Sequence, residues 1–142
     1  MRGVVALTLT AFFALNSAAQ AWEFSPTPIC TVTDEGSDTA LKLTYDGALY
    51  ALHLTHPEGW GDADIFAMRF LPSGPFIQTT RHQITGNTLS VVDSGFGNVL
   101  TGLQINQIAQ VILGDIKRNI TLNGAEAVVE EFRRCKPDAA LS

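Results

Sequence analysis

The stretch whose reading decides the fold is Leu41–Leu54, LKLTYDGALYALHL. Leu41, Leu43 and Tyr45 alternate with Lys42 and Thr44, and Tyr50, Leu52 and Leu54 alternate again after Asp46-Gly47. Strict alternation places one set of side chains on one face of an extended chain. Aspartate and glycine both tolerate positive φ, so Asp-Gly between two such runs predicts a β-hairpin.

Outward from this hairpin the same signal repeats in both directions. Ile29–Thr33 predicts a strand with Cys30 and Val32 on one face. Before it, Trp22–Pro28 is marked by prolines and reads as extended chain anchored by Trp22 and Phe24. Downstream, Ile65–Leu71 predicts a strand with Phe66, Met68 and Phe70 on one face and Arg69 on the other. A turn at Pro72-Ser73-Gly74-Pro75 leads to a shorter strand, Phe76–Thr80, and Gly86-Asn87 marks a turn before another at Thr88–Val92. Ile108–Leu113 and Ile116–Leu122 predict a second hairpin, turned by Gly114-Asp115. Two segments have helical character. Asn98 is placed to cap a short helix over Val99–Leu103, and Asn123 with Glu126 resembles a capping box opening a terminal helix. On that helix Ala125, Val128, Val129 and Phe132 fall at i, i+3, i+4 and i+7, and Cys135 continues the same face. The expected fold is mainly β (α+β): an antiparallel curled sheet or small sandwich, with the C-terminal amphipathic helix packed on it.

The first residues have the pattern of a secretory signal. Met1-Arg2 is a short positive region, Val4–Leu15 is uncharged and apolar, and Asn16–Ala21 is a small-residue segment ending in A-x-A. The apolar run is well short of the roughly 20 residues of a spanning helix. Cleavage is expected after Ala21, leaving one disulfide-linked β-rich domain at 22–136, a flexible tail at 137–142 and no membrane span. The expected location is periplasmic or secreted. In such a location two cysteines ordinarily pair, which predicts a Cys30–Cys135 disulfide joining the ends of the domain.

Without Arg2, eight basic residues stand against fourteen acidic ones. An acidic surface repels phosphate backbones, so nucleic acid is not an expected partner. Arg133, Arg134 and Lys136 form the one basic cluster, placed to complement a helix C-terminus. No G-x-x-x-x-G-K-[ST] loop is present, and Gly95-Phe96-Gly97 is too little to be a phosphate-binding turn. Asp93, Ser94 and His82 supply the residue types of a Ser-His-Asp triad, but without a G-x-S-x-G elbow. Asn119-Ile120-Thr121 matches a glycosylation sequon within a predicted strand.

Two groups of residues remain as candidates. His53, His56, Asp62 and Asp64 have the chemistry of zinc or copper ligands. Residues three apart on a strand point to opposite faces, so the two histidines converge only if the strand ends between them. Trp60, flanked by glycines in the loop His56–Asp64, is either a recognition anchor or a side chain folded back onto the core. Phe96 in the glycine-rich connector and Arg69 on the polar strand face complete the candidate binding residues. The favoured function is a non-enzymatic exported envelope or periplasmic module that binds a small molecule or a protein partner and needs no cofactor. The alternative is a metal-binding protein or metal-dependent hydrolase using His53, His56, Asp62 and Asp64.

WEFSPTPIC at 22–30, SGFGNVLTGL at 94–103 and NGAEAVVEEFRRC at 123–135 give the chain a resemblance. It is similar to a group of small, uncharacterised exported proteins of alphaproteobacteria. Some of these bear an inherited label, that of a component of the DNA-repair excinuclease ABC. The resemblance implies export and a shared lineage, and it carries no functional residue. The labelled activity would need a nucleotide-binding loop, a helicase-sized chain and a basic surface.

Overall fold

The computed structural model describes residues 21–137; the signal-like segment up to Gln20 and the end of the expected tail lie outside the described residues. The chain runs β1 (Trp22–Ser25), β2 (Cys30–Asp34), β3 (Ala40–Tyr45), β4 (Tyr50–Thr55), β5 (Phe66–Leu71), β6 (Phe76–Thr79), β7 (Gln83–Thr85), β8 (Thr88–Asp93), α1 (Gly97–Ile105), β9 (Ile108–Leu113), β10 (Ile116–Thr121) and α2 (Ala125–Arg134). One antiparallel sheet has the order β1-β2-β3-β4-β8-β7 and the other β10-β9-β5-β6. Neither closes on itself, and the sandwich form of the expected fold is the one adopted.

The Leu41–Leu54 hairpin forms in the register its pattern dictates, with Leu43 opposite Leu52, Leu41 opposite Leu54 and Tyr45 opposite Tyr50. Its connection is longer than Asp-Gly alone, because Asp46–Leu49 all lie outside the ladder. The Asp46 carboxylate accepts the amides of Ala48 and Leu49, both at 2.8 Å, and Gly47 takes φ +102°. The β7–β8 and β9–β10 hairpins have two-residue turns. Gly86 and Gly114 each adopt φ +61°, while no non-glycine residue among those described has positive φ. Glycine at the first central position with an ordinary residue after it is the type II′ pattern, whose twist matches the strands it joins.

Alternation then builds the core. Cys30, Val32, Leu41, Leu43, Leu52, Leu54 and Leu89 from the first sheet meet Phe66, Met68, Phe70, Ala109, Val111, Leu113 and Ile120 from the second. The outer face of the first sheet is polar, with Thr31, Thr33, Lys42, Thr44, His53 and Ser90 in register across four strands. Trp22 is buried and its indole N–H donates to the Thr121 carbonyl at 3.2 Å, tying the first strand to the last. Gly102 of α1 lies so close to Phe70 that an added Cβ would overlap the ring. Asn106, after α1, donates to the carbonyls of Gly74 at 2.7 Å and Gly102 at 3.0 Å and accepts the Ser73 amide. It thereby fastens the end of the helix to the β5–β6 turn.

Helix α2 buries Ala125, Val129 and Phe132, with Val128 and Cys135 half-buried beside them. This is the face that the i, i+3, i+4, i+7 spacing selects. Cys30 and Cys135 are joined, their Cα atoms 6.0 Å apart. Arg133 holds α2 to α1 through Gln104 Oε1 at 2.7 Å and Thr101 Oγ1 at 3.1 Å.

Both expected helix caps differ in the structure. Helix α1 begins at Gly97, two residues before the expected start, and Asn98 sits inside its first turn without capping it. Helix α2 begins at Ala125 after Gly124, which takes φ +97°. The Ala125 amide donates to the Leu122 carbonyl at 3.0 Å. The chain therefore turns out of β10 through a left-handed glycine, and the one-residue shift removes Asn123 and Glu126 from capping-box positions.

Candidate functional site

At one edge of the molecule the two sheets part. The chain crosses from β6 to β7 through Thr80–His82, and β7 pairs only with Thr88–Ser90 of β8. Beside this crossing a cleft of about 540 Å³ opens between the inward faces. Its floor and walls are Leu52, Phe66, Met68, Ile77, Val91, Phe96 and Val99, and its rim is Gln78, Thr79, Arg81, Asp93, Gly95, Gly97 and Asn98. A concavity of a few hundred Å³ that joins apolar side chains to a set of polar groups is a form that a small-molecule site takes.

The wall is held in place by aromatic stacking. The Phe96 ring packs on Tyr50 at 5.5 Å, Tyr50 stacks on Tyr45 at 4.3 Å, and Phe132 of α2 abuts Tyr50 at 6.0 Å. Phe96 is buried, whereas the glycines on either side of it are exposed. The disulfide, α2 and the cleft wall thus form one continuous packed unit. At the rim Arg81 Nη2 lies 3.4 Å from Asp93 Oδ2, with both side chains exposed, and Asp93 Oδ1 accepts the Ser94 amide at 2.6 Å.

A larger hollow of about 740 Å³ lies between the Gln104–Ile108 segment and the start of α2. Two of its amide side chains, Gln104 and Asn106, are already committed. Gln104 donates to the Glu126 carbonyl and to Glu130, accepts from Arg133, and Asn106 fastens the β5–β6 turn. It has no aromatic wall.

The residues singled out from sequence fall in different places. Phe96 is in the cleft wall. Trp60 is folded back against the core: its indole N–H is shared between the carbonyls of Leu54 and Asn87, both at 3.1 Å, and the Arg118 guanidinium covers the ring at 4.5 Å. Arg69 lies on the outer face of the second sheet, 5.2 Å over the Phe76 ring and away from the cleft. Strand β4 ends at Thr55, between His53 and His56, yet the two histidines take separate partners. His53 Nδ1 is 2.7 Å from Ser90 Oγ on the polar outer face, and His56 Nδ1 accepts the Glu58 amide at 3.1 Å. Asp62 and Asp64 belong to the loop that follows. Among the described residues no three His, Cys, Asp or Glu side chains gather into a group able to hold a metal ion. The triad residues are also apart in their bonding, since His82 Nε2 engages the Ala63 carbonyl at 3.0 Å and Asp93 engages Arg81 and the Ser94 backbone.

Among the titrating groups perturbed outside the cleft are His53 and Asp34 of the first sheet. Partial burial, with Lys42 nearby, pushes the His53 imidazole below its ordinary value, favouring the neutral ring that can hydrogen bond to Ser90. Burial raises the Asp34 carboxyl, an effect partly opposed by the Gly36 amide it accepts; its Oδ2 has no hydrogen-bond partner. Both belong to the first sheet and neither lines the cleft.

Sequence reasoning does not single out Ile77, Arg81 or Val91, and it meets Asp93 only as a residue type of a Ser-His-Asp triad. The signal available for two of them is alternation: Val91 and Asp93 continue the inward set that begins at Leu89. The fold and the site define a two-sheet β protein with a disulfide-fastened helix and a cleft open at one edge. Comparison of the chain with protein-family models, curated proteins and solved structures finds no match. Function is therefore read from the cleft.

Proposed function

We propose that the protein is a non-enzymatic binding module of an oxidising, exported location that holds a small, largely apolar molecule in the cleft between its sheets. The observation that carries this reading is the cleft itself, walled by seven apolar side chains drawn from β4, β5, β6, β8 and α1 with its connector. Of that wall Ile77 and Val91 stay partly exposed while the others belong to the core, and apolar surface buried against a ligand contributes about 25 cal/mol per Å². The disulfide supports the location, because cytosolic thiols are kept reduced. No helix among the described residues is long and apolar enough to cross a membrane. The exposed location of the cleft permits exchange of the ligand with solvent, as a carrier or sensor requires.

The neutral dye N-phenyl-1-naphthylamine, which fluoresces in apolar surroundings, tests the reading. Wild-type protein is expected to enhance and saturate its fluorescence. A Cβ added at Gly95, a rim residue, meets nothing within 4 Å, and Gly95→Trp is expected to abolish the enhancement at unchanged melting temperature. Ile77→Asp places a charge in the wall and should also abolish the enhancement, with some loss of stability because Ile77 packs against the core. Enhancement that survives both substitutions, or is absent from wild type, overturns the proposal.

A further inference from the structure

The rim of the cleft is richer in donors than in acceptors. Of the five N–H groups of the Arg81 guanidinium, one reaches Asp93, at 3.4 Å, and the side chain is 72% exposed. Asp93, the other charged residue of the lining, already accepts from Arg81 and from the Ser94 amide. The side chain of Asn98 adds further donors. Helix α1 has no acidic residue in its first turn and no side-chain cap, so the amides facing the rim stay uncompensated. The ion pair is exposed and therefore weak, so a better acceptor can draw Arg81 away from Asp93. Below this rim the lining is apolar throughout.

We infer that the ligand is a single-chain amphiphile bearing a carboxylate, its chain lying on Leu52, Phe66, Met68, Ile77 and Val91 and its head group bound by Arg81 at the mouth. This rests on the cleft reading proposed above. Arginine binds a carboxylate through two parallel N–H···O bonds, a geometry that an alcohol head cannot reproduce. Asp93 then has a second role: it competes for Arg81 and limits how tightly the carboxylate is held.

Displacement of N-phenyl-1-naphthylamine by decanoate and by decanol, at pH 7 and below the concentrations at which either aggregates, separates head group from chain. Decanoate is expected to displace the dye at about a tenfold lower concentration than decanol, as one charge-assisted interaction at a partly solvated site allows. Asp93→Asn should widen the gap by freeing Arg81. Arg81→Gln in that background should bring decanoate to parity with decanol while leaving decanol unchanged, a result that loss of structure would not give. If the two displace equally from wild type, or if Arg81→Gln leaves the preference intact, the carboxylate inference is wrong although the cleft still binds. Dye binding with no displacement by either amphiphile also overturns it. Failure of the dye to bind removes the cleft reading itself.

Discussion

Cys135→Ser lowers the free energy of unfolding by about 2–5 kcal/mol, measured by denaturant titration of the oxidised protein. The bond spans a sequence separation of 105 residues. In the chain-entropy account a loop of that size restricts the unfolded ensemble by about 4–5 kcal/mol. That is a large share of the roughly 5–15 kcal/mol typical of a domain. Wild-type protein treated with a reductant should unfold at the same midpoint as the variant, because both have lost the same constraint. A Cys135→Ser protein as stable as oxidised wild type would show that α2 is held by packing alone. The bond also concerns the cleft: it fixes the end of α2, whose Phe132 supports Tyr50, which in turn supports Phe96.

Phe132→Ala is the second large effect. Its ring is 2% exposed, and truncating a buried phenylalanine costs about 3–5 kcal/mol through lost burial and the cavity left behind. Because Phe132 and the disulfide fasten the same helix, the two losses should not add; the double variant should fall short of their sum. Where the single variant remains folded, dye affinity should also drop, since Tyr50 and Phe96 lose their backing. Full dye affinity in a destabilised but folded Phe132→Ala protein would show that the cleft wall stands without α2.

The fold is largely legible in the sequence because its main elements carry their periods openly. Leu41–Tyr45 and Tyr50–Leu54 each alternate without a break, and the hairpin they predict is the one observed. The Ala125–Phe132 face and the paired cysteines are equally plain. Local chemistry near element ends is less so. At the start of α2, Asn123 and Glu126 have capping-box spacing, but Gly124 supplies the left-handed turn that brings the helix out of β10, and that tertiary demand sets the boundary. The strand β1 lies beside prolines at 26 and 28 and reads only as extended chain. Its pairing with β2 comes with Trp22 and Phe24 packing inward, as the anchors they are expected to be. The strand β7 has only three residues and little alternation to display.

The cleft is hidden for a different reason. Its lining comes from separated segments, from Leu52 to Val99, and no segment contributes a recognisable motif. Residue chemistry points instead toward His53, His56, Asp62 and Asp64, whose side chains the fold spreads over a strand face and a loop. Arg69 stands out as the one charge in an apolar strand, and the pleat carries it to the opposite face from the cleft. Trp60 stands out as a glycine-flanked aromatic, and the carbonyls of Leu54 and Asn87 explain why it folds inward. Phe96 is conspicuous for its glycine neighbours. The same glycines leave room at the mouth, where Gly95 and Gly97 meet no neighbour within 4 Å of an added Cβ.

The most direct measurement is a backbone amide NMR titration of the oxidised protein with N-phenyl-1-naphthylamine. The account predicts that the largest shifts fall on Ile77–Thr79, Val91–Asp93 and Gly95–Val99, with the Thr31, Lys42 and His53 face undisturbed. Shifts confined to that outer face, or to the hollow at the start of α2, would contradict it.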